Sequence, residues 1–295
     1  ISVTGVQTCA LPIYNELDLL EIRLRELYDH VDVFVLCESN LTLTNHPKPY
    51  IFEENEKRFR PWMDKIRHVK YTSLADNNYW NNADLQRDAI IEGLDDADDH
   101  DIVIYSDVDE IPRPSSVDYI RTQDQITIFG FHMPLCNFKF NYVRVAPVPG
   151  PMDIWSMAAR AYWIRRYSVQ ALRYQRNSLY DLPHSFEYRG RAGTIDTVQV
   201  ETVRHGGWHF SYLGDNAWLA DKAQNTVHQE ENTPELIKNL DVEQSIREKK
   251  SWNRADEFEY EIVDMTDYFP KSCHDYPQWI LPDSGIDPQE FLARF

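Results

Sequence analysis

The chain has 295 residues, of which 42% are hydrophobic and 13% aromatic, and its formal net charge is −18. It is long and apolar enough for one α/β domain with an appended region, or for two small domains. The negative charge argues against nucleic acid and anionic membrane surfaces as partners. Because no apolar stretch approaches a membrane span, no signal peptide is evident and the four Cys show no paired spacing, we expect a cytoplasmic protein.

The N-terminal segment has two interpretations. Residues Val3 to Ile13 read VTGVQTCALPI, which looks like the translation of a sequencing-adapter oligonucleotide. On this interpretation residues 1–13 are an assembly artefact, and the natural sequence begins near Tyr14. The alternative is an ordinary N-terminal strand, since the segment contains Val, Thr and Ile.

The first half of the chain alternates predicted helices and strands. A helix is predicted to begin at Asn15, with Asp18 as its capping partner. The patterns further predict a strand at Val31–Glu38, a charged helix around Glu53–Phe59, a strand at Ile66–Tyr71, a helix at Asn81–Leu94 and a strand at Ile102–Tyr105. This alternation predicts an α/β fold with a mainly parallel sheet flanked by helices.

After Asp109 the sequence becomes richer in β patterns. Pro112 and Pro114 end the preceding strand, and a short helix follows. We then predict strands at Ile126–Met133, Asn137–Val143 and Ser156–Ile164, a dense motif at Thr202–Tyr212, a helix at Ala217–His228, and polar, irregular chain to Phe295.

Asp107-Val108-Asp109 directly follows the predicted strand Ile102–Tyr105. Residues two apart on a strand point to one side, so both carboxylates could bind one divalent cation. Asp96-Ala97-Asp98 has the same spacing but lies in a polar linker, so the position of the motif matters more than its pattern. The alternative is a simple turn after a strand. Glu110 could orient the metal or touch the donor sugar, or could cap the following helix.

Histidine and basic residues supply further candidates. His209 follows Gly206-Gly207-Trp208 and could complete a metal site, or could be a buried core histidine. Arg87, Lys222 and His228 could stabilise a diphosphate leaving group. For Arg87 the alternative is a surface ion pair with a neighbouring Asp on its own helix.

These segments together resemble glycosyltransferase family 17. The residues that carry the resemblance are Asn15–Leu24, the strand end with Glu38, Gln86-Arg87-Asp88, Ser106–Pro112, Gly206–Ser211, and Lys222 with His228-Gln229-Glu230. They occur in the family's order over most of the chain from Tyr14, and they look more like the soluble microbial members than the membrane-anchored ones.

The resemblance implies a GT-A-type fold and a metal-dependent, inverting N-acetylglucosaminyltransferase. It implies UDP-N-acetylglucosamine as donor, a glycan or glycoconjugate as acceptor, and Mn²⁺ (or Mg²⁺) as cofactor. The metal is expected at Asp107 and Asp109, with His209 as a further ligand, and Asn15, Glu16 and Glu38 are expected at the nucleotide. Residues 14–295 then form a single domain with a nucleotide-binding half (14–113) and a β-rich acceptor-side half (114–295).

The family implies a strand immediately before Asn15-Glu16-Leu17-Asp18, in the middle of the nucleotide-binding sheet. Here adapter-like residues stand in that place, so we expect weak donor binding or low stability, which β pairing by Val3–Thr8 would partly offset.

Inverting transfer requires a general base for the acceptor hydroxyl. The candidates are Asp153, in a Pro/Gly-rich loop, and Asp215, just after the His209 motif. Three other functions are compatible with the acidic motif: a nucleotidyltransferase or sugar-nucleotide hydrolase, a metal-dependent sugar-binding protein without turnover, and an inactive family relic.

Overall fold

The computed structural model describes residues 7–72, 76–123, 128–146, 152–178, 185–189, 195–253 and 257–293. The chain forms two compact units that are interleaved in sequence. The first consists of Ile1–His132 and Ile154–Gly207, and the second of Met133–Asp153 and Trp208–Phe295. The predicted halves 14–113 and 114–295 are functional assignments, so this division by packing does not test them.

Helices and strands alternate through the first 121 residues and are more mixed after them. The elements up to residue 121 are β1 (Gln7–Ile13), α1 (Leu17–Leu27), β2 (Val33–Ser39), α2 (Ile51–Glu54), β3 (Ile66–Tyr71), α3 (Tyr79–Asp88), β4 (Ile102–Tyr105), β5 (Glu110–Pro112) and α4 (Pro114–Arg121). Those that follow are β6 (Ile128–Asn137), β7 (Tyr142–Ala146), β8 (Met152–Arg160), α5 (Ala161–Tyr167), α6 (Val169–Arg173), β9 (Ser185–Arg189), β10 (Ile195–Val203), β11 (Gly207–Ser211), α7 (Asn216–Asn225), α8 (Pro234–Lys238), α9 (Val242–Glu248), β12 (Glu259–Ile262) and α10 (Pro288–Leu292). Short 3-10 helices occupy Glu56–Trp62, Ala89–Gly93, Tyr174–Ser178, Gln229–Glu231, Lys271–Asp275 and Pro277–Trp279.

A parallel sheet organises the first unit. β1 pairs in parallel with β2 on one side and with β4 on the other, and β3 pairs in parallel with β2. The last residues of β8 add to the other edge of β4 in antiparallel orientation. Because the carboxyl ends of parallel strands lie at one edge of the sheet, the residues after β1, β2 and β4 are near one another. The predicted α/β fold, with a mainly parallel sheet flanked by helices, is confirmed.

The core of the first unit lies between this sheet and the helices that pack on it. Val35 and Val103 contribute from the strands, and Ile90, Ile164 and Leu172 contribute from the helical segments that flank them. Apolar side chains from both kinds of element meet in one cluster, which is the burial pattern of an α/β layer fold.

The second unit is built on a smaller, mixed sheet. The last residues of β6 pair in parallel with β11, whereas β7 is antiparallel to both β6 and β12. Phe138, Tyr142 and Tyr260 pack with Leu219 and Ile246 in its core, and the rings of Tyr142 and Tyr260 stack at 4.7 Å between centroids. Among the residues that the structure describes, no helix is both long and apolar enough to span a membrane.

The N-terminal segment forms the strand β1, as its alternative interpretation predicts. It lies between β2 and β4, and Cys9, Leu11 and Ile13 are buried. Thr8 already pairs with Val33, whereas residues 3–6 lie outside the described part of the chain. The adapter assignment concerns the origin of these residues and stays a prediction, as does the expected weak donor binding.

The predicted start of the first helix is wrong by two residues. α1 begins at Leu17, and Glu16 precedes it without capping it through a side-chain hydrogen bond. The Glu16 carboxylate instead folds back and accepts the backbone N–H groups of Tyr14 (3.2 Å) and Asn15 (3.1 Å). Asp18 is paired with Arg58 at 2.6 Å, so it does not act as the predicted capping partner.

Two other predicted elements need correction. The strand predicted at Ser156–Ile164 ends at Arg160, because the backbone N–H of Ala161 donates to Asp101 O and the chain turns into α5. The predicted strand Asn137–Val143 is interrupted between β6 and β7, where Phe138 has a φ of 61°. Residues 126–127 of the predicted strand Ile126–Met133 and residues 147–151 of the Pro-rich loop lie outside the described residues.

The region after residue 228 is more regular than predicted. It contains α8, α9, α10 and β12. Each of the three helices is capped locally, because the side chains of Thr233, Asp241 and Asp287 accept backbone N–H groups of the first helical turn. These capping residues are visible in the sequence, but helices of five to seven residues carry too little periodicity to be recognised from it.

Candidate active site

The motif Asp107-Val108-Asp109 forms a tight turn at the carboxyl end of β4. The backbone N–H of Glu110 donates to Asp107 O at 3.1 Å, and the N–H of Asp107 donates to the Glu110 carboxylate at 2.9 Å. The prediction that strand alternation directs both aspartates to one side is therefore wrong, because β4 ends at Tyr105. The motif does lie at the edge of the sheet where ligands bind in parallel α/β proteins.

Two arginines hold the carboxylate of Asp107. Arg87 binds it in a bidentate manner, with Nε 3.0 Å from Oδ1 and Nη2 3.0 Å from Oδ2. Arg173 adds a third bond, from Nη2 to Oδ2 at 3.1 Å. The alternative surface pair of Arg87 with Asp84 is long, at 3.9 Å, so Arg87 belongs to the acidic turn.

These cations decide the charge of Asp107. Burial would raise the pKa of the Asp107 carboxyl, but Arg173 and Arg87 outweigh burial and hold that pKa well below its ordinary value. In turn Asp107 and Glu110 raise the pKa of Arg173 against the opposing effect of burial. Both directions favour the charged forms, so Asp107 and Arg173 form an ion pair in the folded protein.

Glu110 is a buried residue of the turn, with only 1% of its surface exposed. Both of its carboxylate oxygens bind Arg173, one of them at 3.0 Å, and one oxygen also accepts the N–H of Asp107. It does not cap α4, whose N-cap Arg113 makes no side-chain cap hydrogen bond, so that alternative is wrong. These contacts give Glu110 a positioning role in the turn.

Arg23 supports the turn from inside the protein and is fully buried. Its Nη1 group donates to the carbonyl oxygens of Asp107 (3.0 Å), Val108 (3.4 Å) and Glu110 (2.8 Å). Its Nη2 group donates to Ser106 Oγ (2.5 Å) and to Cys9 Sγ (2.9 Å). One buried guanidinium group therefore fixes most of the backbone carbonyls that orient the acidic motif.

The predicted nucleotide-binding residues lie after β1 and β2. The amide oxygen of Asn15 is buried and has no hydrogen-bond partner within the described residues, as expected of a group that awaits a ligand. Glu16 binds the backbone before α1. Glu38 is completely buried, binds the first N–H groups of α2 and pairs with Lys48 at 3.1 Å. A role of these three residues in donor binding stays a prediction.

Three predicted catalytic or metal residues belong to the second unit. Asp153 is paired with Arg144, and it lies in β8 rather than in the predicted Pro/Gly-rich loop. Asp215 is the N-cap of α7 and accepts the N–H of Trp218 at 2.9 Å. His209 is buried on β11, where it lies beside Leu135 of β6.

Close backbone contacts explain why the motif before His209 contains glycine. The N–H of Gly206 donates to His132 O (2.9 Å) and its carbonyl accepts from Arg113 N (2.7 Å). An added Cβ atom at Gly206 would lie 2.8 Å from Val203 O, which is closer than packing allows. The close backbone approach expected for this motif is therefore present at Gly206.

Lys222 and His228 are also in the second unit. The Lys222 ammonium lies over the rings of Trp218 (4.9 Å) and Tyr212 (5.4 Å). His228 Nδ1 is 2.6 Å from Glu230, and together with Glu231 these residues place three ligand atoms within 4.8 Å of one another. A cluster of this kind is common on acidic surfaces without a metal, so it does not by itself indicate a second metal site.

Sequence reasoning missed Arg173 and Arg176. Arg173 is 66 residues from Asp107 in sequence and lies at the end of the five-residue helix α6, which no periodic pattern announces. The guanidinium carbon of Arg176 lies 5.2 Å from the ring centroid of Trp155. Burial and the like charge of Arg173 lower the pKa of Arg176. The available signal was a run of basic residues, Arg165 to Arg176, in an otherwise acidic chain.

The solved structures that match the chain do so only weakly. One is glucosyl-3-phosphoglycerate synthase from Mycobacterium tuberculosis in complex with Mn²⁺, uridine diphosphate and phosphoglyceric acid, at a TM-score of 0.36 and 14% identity. The match covers 68% of this chain and 69% of the synthase chain. Another is HddC from Yersinia pseudotuberculosis, at a TM-score of 0.38 and 10% identity, covering 68% of this chain and 89% of that chain.

Sequence relatives are closer. Over 218 residues the chain is 30% identical to the beta-1,4-mannosyl-glycoprotein 4-beta-N-acetylglucosaminyltransferases of Rattus norvegicus and Homo sapiens. The match covers 69% of this chain and 39% and 40% of those proteins, so the chain spans about two fifths of their length. Residues 8–170, more than half of the chain, match the family described as Glycosyltransferase family 17. The acidic turn, the parallel sheet that carries it and this match agree: the chain belongs to glycosyltransferase family 17.

Proposed function

We propose that the protein is a metal-dependent, inverting glycosyltransferase that transfers N-acetylglucosamine from UDP-N-acetylglucosamine to a glycan or glycoconjugate. Family membership and the names of the relatives support the transferase and the sugar. The observation that carries the proposal is the position of Asp107, at the carboxyl end of a parallel strand and in contact with Arg87 and Arg173. Acid and guanidinium groups together suit a metal–diphosphate ligand.

The residues of the acidic turn fit a hard divalent cation. Carboxylate oxygens are the ligands that Mn²⁺ and Mg²⁺ prefer, and the Asp107 side chain retains 29% of its exposure. Asp107 and Asp109 would hold the metal, with His209 as the proposed further ligand. When bound, the metal would supply charge neutralisation at the diphosphate leaving group.

The protein's own residues prepare this site. Arg87 and Arg173 fix the orientation of the Asp107 carboxylate, and Glu110 fixes its backbone N–H. Arg23 holds the carbonyl groups of the turn. The backbone of the turn is therefore held in place before any ligand binds.

The general base is proposed to be Asp153 or Asp215. A base must accept the proton of the acceptor hydroxyl as that oxygen attacks the anomeric carbon. Asp153 would have to exchange its partner Arg144 for the acceptor, whereas Asp215 uses an oxygen to cap α7. Glu110 is the weaker third candidate, because Arg173 and the turn already occupy its oxygens.

Substitution of Asp107 tests the proposal. We expect Asp107→Asn to reduce the Mn²⁺-dependent release of UDP from UDP-N-acetylglucosamine, in the presence of N-glycan acceptors, by about 100-fold or more. Asp98→Asn is the matched control, because Asp98 belongs to a motif of the same spacing but lies in the linker before β4. Equal activity of the Asp107→Asn variant and the control would contradict the proposed role of the acidic turn.

A further inference from the structure

Positively and negatively charged side chains already face one another at the acidic turn. The guanidinium groups of Arg87, Arg173 and Arg176 stand against the carboxylates of Asp107 and Glu110, and Asp109 also acts on Arg173. These three cations face three anions before any ligand binds, and the buried Arg23 adds a fourth guanidinium group on the backbone side of the turn. A divalent cation alone would add two further positive charges, whereas the diphosphate of a nucleotide sugar brings about two negative charges.

The same arginines occupy the atoms that a metal would need. Oδ1 of Asp107 accepts from Arg87, and Oδ2 accepts from both Arg87 and Arg173. The space that these side chains line with Tyr105 and Val169 has no room for even a water-sized sphere. A diphosphate can therefore reach Asp107 through this space only after the arginines move.

We infer that Arg173, with Arg87, is an exchangeable counter-ion: it neutralises Asp107 and Glu110 before the donor binds, and donates to the donor's diphosphate once a divalent cation occupies Asp107. This inference rests on the proposed function and names Arg173 as a further donor-binding residue. Its guanidinium group suits both partners, because carboxylate and phosphate offer the same bidentate geometry. The exchange couples the two ligands: the metal binds weakly alone, and metal and diphosphate each strengthen the binding of the other.

The test measures two affinities, and the inference predicts that loss of the arginine changes them in opposite directions. The affinity for Mn²⁺ without nucleotide is measured from the electron paramagnetic resonance signal of free Mn²⁺, and the affinity for UDP at saturating Mn²⁺ is measured by calorimetry. We expect Arg173→Gln to bind Mn²⁺ alone about tenfold more tightly than the wild type, and to bind UDP with Mn²⁺ about tenfold more weakly.

Two further variants keep the test decisive. Arg87→Gln should show the same opposite changes, and it removes a side chain that is 19% exposed, so it remains informative if loss of the buried Arg173 prevents folding. Arg165→Gln is the control, because Arg165 pairs with Asp99 at the surface, and both affinities should match the wild type.

The possible failures are distinguishable. If the wild type binds UDP with Mn²⁺ but both affinities fall together in Arg173→Gln and Arg87→Gln, the arginines only maintain the turn and the inference is overturned. If the wild type does not bind UDP at any Mn²⁺ concentration, the proposed function itself fails, and the inference fails with it.

Discussion

Two opposing effects act on the pKa of the Asp107 carboxyl. Burial favours its neutral form, whereas Arg173 and Arg87 favour its carboxylate. The arginines prevail because three hydrogen bonds of 3.0 to 3.1 Å join their guanidinium groups to the carboxylate. An aspartate in this position is anionic without a metal and needs no deprotonation when a metal binds.

The pH dependence of stability tests this conclusion. A carboxyl whose pKa is lowered by folding stabilises the protein above its unfolded pKa of about 3.9, and that contribution is lost as the pH falls through the folded value. We expect Asp107→Asn to lower the free energy of unfolding by roughly 1–3 kcal/mol between pH 5 and pH 8. The difference from the wild type should shrink only below about pH 4.

Urea denaturation at several pH values would measure this difference, with Asp29→Asn, an exposed residue of the same type, as control. A difference that already shrinks between pH 7 and pH 5 would mean that burial prevails and that the Asp107 pKa is raised. That result would contradict the ion-pair description of the site.

Part of the site could be predicted from the sequence, and the limit has a physical cause. Asp107 and Arg87 were found because each lies next to an element with a clear pattern, a buried strand and a helix. Arg173 was not, because its partners are 63 and 66 residues away and only the folded chain brings them together. Arg23 was part of a recognised motif, but a charged residue gives no sign in the sequence that it is buried.

β1 is the element whose presence the fold depends on most. It is the middle strand of the parallel sheet, and it supplies Cys9 to the buried Arg23. The strands on both sides of it would otherwise have unpaired backbone groups at the centre of the first unit. If this adapter-like segment pairs with β2 and β4, the expected loss of stability is avoided; if it does not, the loss occurs.

Cysteine reactivity tests whether β1 is docked. Cys9, Cys37, Cys136 and Cys273 are all buried and form no disulfide bond, and burial raises the pKa of Cys37 to about 12. We expect none of the four thiols to react with a thiol reagent in the native protein at pH 8, and all four to react in denaturant. Mass spectrometry would assign the labelled positions.

The other three thiols are internal controls in this experiment. Labelling of Cys9 at its denatured rate, with Cys37, Cys136 and Cys273 protected, would show that β1 does not occupy the sheet. Protection of all four would mean that Gln7–Ile13 fills the central position despite its unusual sequence.

Sequence patterns predicted the elements unevenly. β3 and β4 have the bounds that were predicted, because continuous apolar or alternating runs end at polar residues on both sides. The junction of β8 and α5 was misplaced, because Met157 to Ile164 is apolar throughout most of its length and suits either structure. Hydrogen bonds to Asp99 and Asp101, which are distant in sequence, decide where the strand ends.

At the scale of the whole molecule, the net negative charge of the chain contrasts with the cluster of arginines at the acidic turn. The net charge is −18, yet Arg23, Arg87, Arg173 and Arg176 gather at the acidic turn. Salt screens the overall charge beyond about 8–10 Å, so under the proposed function an anionic donor would meet the local arginines rather than the average charge. The net negative charge is therefore compatible with the proposed binding of a nucleotide diphosphate.

The most direct test of the proposed function is a calorimetric titration of UDP-N-acetylglucosamine with and without Mn²⁺. We predict binding with Mn²⁺, little or none without it, loss of the Mn²⁺-dependent binding in Asp107→Asn, and retention in Asp98→Asn. Binding that is equally strong without Mn²⁺, or that survives Asp107→Asn, would contradict the central claim that this turn is the metal–donor site of a glycosyltransferase.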